Sequence, residues 1–151
     1  MDISVKQELY DQCKNKVQER LNSVLRTISG LEESLQSETK SSAGDKHETG
    51  RAMVQLEREK AGVQLSEIQK LQEVLSKIDT SKTTQAICLG SVVVTNKANY
   101  FVAVSSGELY VGGKTFYAIS PNSPIGQLLL SKSVGDSVAF RGESMEVLSL
   151  L

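Results

Sequence analysis

Residues 5–35 read VKQELYDQCKNKVQERLNSVLRTISGLEESL, and their apolar positions decide the fold of the first half of the chain. Val5, Leu9, Cys13, Val17, Leu21, Val24, Ile28, Leu31 and Leu35 recur at steps of three and four residues. That period draws one stripe along an α-helix, close to a coiled-coil seam. Strand alternation fails throughout. The stripe stops at Lys40-Ser41-Ser42-Ala43-Gly44-Asp45, a run of poor helix formers with a glycine. It resumes as Met53, Leu56, Val63, Ile68, Leu71, Leu75 and Ile78, with Lys60 and Gly62 interrupting it. Two long helices joined by a short polar segment predict an antiparallel hairpin over residues 3–78, its turn within 40–48. Such a hairpin serves either as a dimerisation stalk or as a probe carrying its tip into a deep channel.

Outward from this stretch the composition changes. The chain has 151 residues, 17 Lys+Arg and 18 Asp+Glu. A net charge of −1 excludes a strong global attraction to nucleic acid or anionic membrane. Most of the charges fall in residues 1–80, whereas both prolines and six of the seven aromatic residues fall in 81–151. The polar joint Asp79-Thr80-Ser81-Lys82-Thr83-Thr84 separates the two compositions. The domains are therefore expected as 1–80, a helical hairpin, and 81–151, a β-rich domain. No apolar run reaches the ~20 residues of a membrane helix, and the N-terminus has no apolar signal core. Cys13 and Cys88 lie far apart without a CxxC spacing, which argues against a zinc knuckle or a disulfide framework. A cytoplasmic location follows as the expectation, with both cysteines inert.

In the second half, 91–95 and 100–104 are β-branched and aromatic runs flanking Asn96-Lys97-Ala98-Asn99. Runs 109–111 and 115–119 flank Gly112-Gly113-Lys114. Both pairs predict hairpins. Ser123 suits a helix N-cap and Pro124 the first helical position of a short helix over 123–130. Runs 134–140 and 144–148 complete an antiparallel sheet covered by that helix. The serines have no histidine partner, since His47 lies in the other half, and no phosphate-binding glycine loop is present.

Two segments carry a family resemblance. Gly44-Asp45-Lys46-His47-Glu48, at the hairpin turn, is similar to the tip sequence Gly-Asp-Leu-Lys-Glu of the GreA/GreB bacterial transcript cleavage factors. Ile119-Ser120-Pro121-Asn122-Ser123-Pro124-Ile125-Gly126-Gln127-Leu128-Leu129-Leu130-Ser131-Lys132-Ser133-Val134-Gly135-Asp136 resembles the family's Ile-Ser-x-x-Ser-Pro-Ile-x-x-x-Leu-Leu-x-Lys-x-x-Gly-Asp. The second motif is the more specific. Together they span nearly the whole chain in the family's order.

The resemblance implies an α+β two-domain protein: an N-terminal antiparallel helical hairpin (coiled coil) followed by a small FKBP-like α+β domain. It implies a monomeric partner of RNA polymerase that meets DNA only indirectly. The C-terminal domain would dock on the rim of the secondary channel through Asn122, Ser123 and Pro124. The hairpin would bring Asp45 and Glu48 to the polymerase active centre. There they would hold a Mg²⁺ ion jointly with the polymerase and promote hydrolysis of a backtracked nascent RNA 3′ end. Lys46 and Arg51 would steady RNA phosphates. The protein would not itself be an enzyme.

After the glutamate, the family continues Asn-Ala-Glu-Tyr, whereas this chain has Thr49-Gly50-Arg51-Ala52. That departure keeps open a Gre-like channel regulator without cleavage activity. A dimeric coiled-coil or peptide-binding protein is the alternative from another class. The bland reading of Asp45 and Glu48 is two acids favoured by the helix dipole.

Overall fold

The structure is a computed structural model. It describes the backbone of residues 3–40 and 44–151, and the side chains of residues 3–37 and 48–151. The element order is α1 (Ile3–Lys40), α2 (Gly44–Ser76), β1 (Val92–Thr95), β2 (Asn99–Val102), β3 (Gly107–Val111), β4 (Lys114–Ile119), α3 (Pro124–Leu129), β5 (Ser137–Phe140) and β6 (Glu143–Leu150). A helical hairpin followed by a small six-stranded sheet domain is the expected class. The chain divides into two compact units, Val17–Leu71 and Met1–Lys16 with Gln72–Leu151.

In the unit Val17–Leu71, Val17, Val24 and Ile28 of α1 are buried, as are Ala61 and Ile68 of α2. Leu21, Leu31 and Leu35 are half-buried, so every α1 position of the predicted stripe faces inward. The stripe predicted for α2 needs correction. Met53, Leu56 and Val63 are 65%, 58% and 59% exposed. The predicted Ile68 and Leu75 are buried and Leu71 and Ile78 half-buried, and the inward positions of α2 run Val54, Arg58, Ala61, Leu65, Ile68, Gln72 and Leu75. Their alternating steps of four and three make a heptad seam. The small Ala61 and the Arg58 stem occupy it where a bulky apolar residue is missing, so over residues 53–63 hydrophobicity alone picks the wrong face. Arg58 also approaches Glu32 of α1 at 3.5 Å, an exposed pair of little energetic weight.

In the other unit, the first turns of α1 are tied by side chains to neighbouring backbone. Lys6 is 4% exposed and its Nζ donates to the Lys82 carbonyl at 2.6 Å. Burial holds its ammonium below the ordinary lysine pKa. The Thr80 hydroxyl donates to Gln7 Oε1 at 2.5 Å, and Tyr10 donates to the Leu75 carbonyl at 3.1 Å. Cys13 is fully buried, and burial pushes its thiol up to about 11.

The sheet order is β3-β4-β2-β1-β6-β5. Its neighbours are antiparallel except β2 and β4, which run parallel with Tyr100 opposite Tyr117 and Val102 opposite Ile119. The expected all-antiparallel sheet is thus a mixed one. The cause is the β3–β4 hairpin: β3 takes the outer edge, and β4 returns beside β2 in the same direction. Gly112 and Gly113, with φ of 59° and 76°, close that hairpin in the left-handed conformation of a two-residue turn. One sheet face packs on α3 through Val93, Tyr100, Val102, Ile119, Ile125 and Leu129. The alternate residues Phe101, Leu109 and Phe116 are buried on the opposite face.

Candidate functional site

The segment 119–136 folds as a set of local locks. Ser120 ends the run from β4, and its carbonyl accepts from both the Ser123 N–H at 3.1 Å and the Ser123 hydroxyl at 2.6 Å. The same Ser123 hydroxyl oxygen accepts from the Gly126 N–H at 3.1 Å, capping α3. This is the bond a serine N-cap supplies to the third residue of the first turn. Ser120 Oγ accepts from the Asn122 N–H at 3.1 Å. Gly126 is required by space. A Cβ there would stand 2.1 Å from the Ser120 oxygen and 2.9 Å from Ser123 Oγ.

These locks leave a small surface. Asn122 and Pro124 are exposed and Ser123 is half-buried. Ile125 and Leu129, four residues apart, face the core, while Leu128 is 38% exposed one turn after Pro124. Leu128 belongs to this surface and was not singled out from the sequence. The signal was present: a buried pair at 125 and 129 leaves 124 and 128 as neighbours on the adjoining face.

The rest of the motif is also structural. Ser131, at φ 70°, ends the helix, and its N–H donates to the Ile87 carbonyl at 2.9 Å. Lys132 O accepts from the Ile87 N–H at 2.8 Å. Asp136 Oδ2 accepts from the Ser133 N–H at 2.8 Å, and the Asp136 carbonyl accepts from Val147 at 2.9 Å. The motif therefore ties α3 to residue 87 and to β6.

The second set of predicted residues lies at the start of α2. The helix begins at Gly44, so Asp45 and Lys46 are within its first turn. The side chains of Asp45, Lys46 and His47 lie outside the described residues. Glu48 and Arg51, one helical turn apart, are exposed. They belong to the unit Val17–Leu71, whereas Asn122, Ser123 and Pro124 belong to the other. Among the described residues, no three His, Cys, Asp or Glu side chains are grouped to hold a metal ion. Among them, too, no helix is long and apolar enough to cross a membrane.

No protein-family model matches the chain, and no curated protein matches it. Among solved structures, the chain is similar to the transcription factor Gfh1, at 18% identity over 93% of this chain and 92% of that one, with a TM-score of 0.35.

Proposed function

We propose that the protein is a transcription elongation factor that binds RNA polymerase at its secondary channel and stimulates the polymerase's own cleavage of backtracked RNA. The observation that carries this reading is the Ser120–Gly126 turn. Its hydroxyls and the Ser120 carbonyl are consumed in holding the turn, which offers Asn122 and Pro124 outward, with Leu128 of α3 beside them. A rigid turn presenting small apolar groups suits protein docking, because little side-chain freedom is lost on binding. The motif that builds it is the one shared with the GreA/GreB family, and the helical hairpin precedes it in the family's order.

In this reading the chain lends acids rather than a finished active site. Mg²⁺ takes oxygen ligands and keeps its water shell unless several converge. Asp45 and Glu48 would supply part of such a set, and the polymerase carboxylates and an RNA phosphate the remainder. A metal held this way stabilises the attacking and leaving oxygens of phosphodiester hydrolysis. Lys46 and Arg51 would neutralise phosphate charge nearby.

A second reading, a channel-binding regulator without cleavage, is favoured by the exposed Arg51 one turn after Glu48. Purified protein added to stalled elongation complexes with Mg²⁺ separates the two. Shortened RNA supports the cleavage factor; binding without shortening supports the regulator. Absence of binding overturns both.

A further inference from the structure

We propose that Arg141, Tyr100 and Tyr117 form a docking site for one acidic side chain of a protein partner, with the guanidinium and two phenol hydroxyls as its donors. Tyr100 of β2 lies opposite Tyr117 of β4, and their ring centroids are 6.2 Å apart. Tyr100 and the Phe140 ring pack into the same core as Ile125 and Leu129 of α3. Arg141 Cζ stands 5.0 Å from the Phe140 centroid, so that ring carries the guanidinium at the rim of this core.

The polar ends of these residues are unspent. Tyr100 is only 8% exposed, yet its hydroxyl makes no hydrogen bond to a described residue. A buried tyrosine hydroxyl ordinarily finds a partner. The Tyr117 hydroxyl is equally free among the described residues, and no described carboxylate pairs with Arg141. Burial holds the Tyr100 phenol above its ordinary pKa, with Tyr117 adding to the rise and Arg141 opposing it. The hydroxyl is therefore a donor at neutral pH. Arg141-Gly142 joins β5 to β6 with φ of 53° and 80°, a two-residue turn whose first position favours asparagine or glycine. An arginine there gives up backbone preference, and what it brings is its side chain.

Three donors and no acceptor call for an oxyanion. One cationic group among neutral phenols matches a singly charged carboxylate better than a phosphate. Donors on either side of a carboxylate, each ~2.7 Å from an oxygen, stand roughly 5–7 Å apart. The Tyr100–Tyr117 spacing is on that scale. Tyr117 and Arg141 are exposed, so the site does not enclose a ligand as a small-molecule pocket does. A carboxylate presented on a protein surface brings its own cover. The chain's own Glu108 faces Tyr117 across β3 and β4, but its Oε2 is taken by the Tyr110 hydroxyl. Gln12 and Lys16 of α1 bond the outward backbone of Tyr110 and Glu108, so the edge of β3 is closed and only its face stays open. The site does not depend on the polymerase reading.

The test is an NMR titration of the whole isotope-labelled chain with the peptide acetyl-Ala-Glu-Ala-amide. The peptide acetyl-Ala-Gln-Ala-amide, sodium acetate and sodium phosphate run beside it. The Glu peptide is expected to shift the resonances of Tyr100, Tyr117 and Arg141 saturably, and the Gln peptide is not. Tyr100→Phe should weaken the Glu peptide roughly fivefold or more while leaving thermal unfolding unchanged or raised, because the lost hydroxyl bonds nothing in the free chain. A structural role for that hydroxyl would lower stability instead. Arg141→Gln should weaken the peptide about tenfold or more, and Arg141→Lys less, since it keeps the charge without the fork. Absence of a saturable shift with the Glu peptide overturns the proposal, as does equal binding by wild type and Tyr100→Phe. Acetate or phosphate binding as tightly as the Glu peptide assigns the site to a free anion and overturns the protein source.

Discussion

Gly126 lies so close beneath the Ser120 carbonyl that no other residue fits there: a Cβ would meet that oxygen at 2.1 Å. The contact is with backbone, and the Ser120 oxygen is itself fixed by two bonds from Ser123. Neither side has a flexible end to move away. Gly126→Ala should therefore force the turn open and cost about 2 kcal/mol or more, the scale of overpacking in a closed site. Urea unfolding reads that loss, and the variant should also lose polymerase affinity. A variant as stable as wild type would show that the turn is pliable.

Ser123 and Pro124 are adjacent but should respond differently to truncation. Ser123→Ala removes the cap bond to Gly126 and the bond to Ser120, so it should cost about 1 kcal/mol of stability. Pro124 and Leu128 are exposed. Their alanine variants should unfold within a few degrees of wild type yet bind polymerase more weakly by ~1–2 kcal/mol each, as interface anchors do. Thermal unfolding beside a polymerase-binding titration separates the two classes. Equal affinity for wild type and the Pro124→Ala/Leu128→Ala protein would remove α3 from the docking surface.

The two cysteines should differ in chemistry. Cys88 is exposed and Cys13 buried, so a thiol reagent at neutral pH should modify one thiol quickly and the other only on unfolding. Burial raises the Cys13 thiol to about 11, against opposing pulls from the Ser106 hydroxyl and Lys16. In the unfolded chain a cysteine ionises near 8.5. A pKa raised on folding contributes stability below the unfolded value and loses it as pH climbs through the folded one. The wild-type advantage over Cys13→Ala should therefore shrink between roughly pH 8.5 and 11, by about 3 kcal/mol. Lys6, whose pKa burial lowers, works in the opposite direction, but it is common to both proteins and cancels in the difference. A difference that stays flat across this range would place the Cys13 thiol in contact with water.

What the sequence disclosed follows from the range of the interactions involved. The α1 stripe was legible because each of its nine positions is apolar and regularly spaced. The α2 seam was legible only from Ile68 onward, because Arg58 and Ala61 occupy inward positions before it while Met53, Leu56 and Val63 are exposed. The N-cap at Ser123 was legible from its neighbour Pro124, since capping is decided within four residues. The need for glycine at 126 was hidden, as it depends on where the Ser120 carbonyl comes to rest. Strand positions could be read from local patterns, whereas the parallel pairing of β2 with β4 depends on the order in which the chain is laid down. The clasp of β3 by Gln12 and Lys16 joins residues some 90 positions apart, beyond the reach of any local pattern.

The acids at the start of α2 bear the chemical weight of the proposed function, and their test must separate chemistry from docking. Two carboxylates on one helix turn leave most of the Mg²⁺ coordination shell to water. The isolated protein should accordingly show neither nuclease activity nor tight Mg²⁺ binding, by calorimetry and by incubation with free RNA. Asp45→Ala and Glu48→Ala should each abolish stimulated cleavage in stalled complexes. Affinity for polymerase should change little, because the proposed docking groups Asn122, Pro124 and Leu128 lie in the other unit of the chain. Arg51→Ala should give a smaller loss, since phosphate charge is shared among several cations. Cleavage by Glu48→Ala at the wild-type rate would strip the glutamate of its role. Should wild type bind without stimulating cleavage, Arg51→Glu should restore an acid to this flank and test whether the basic substitution is what silences the tip.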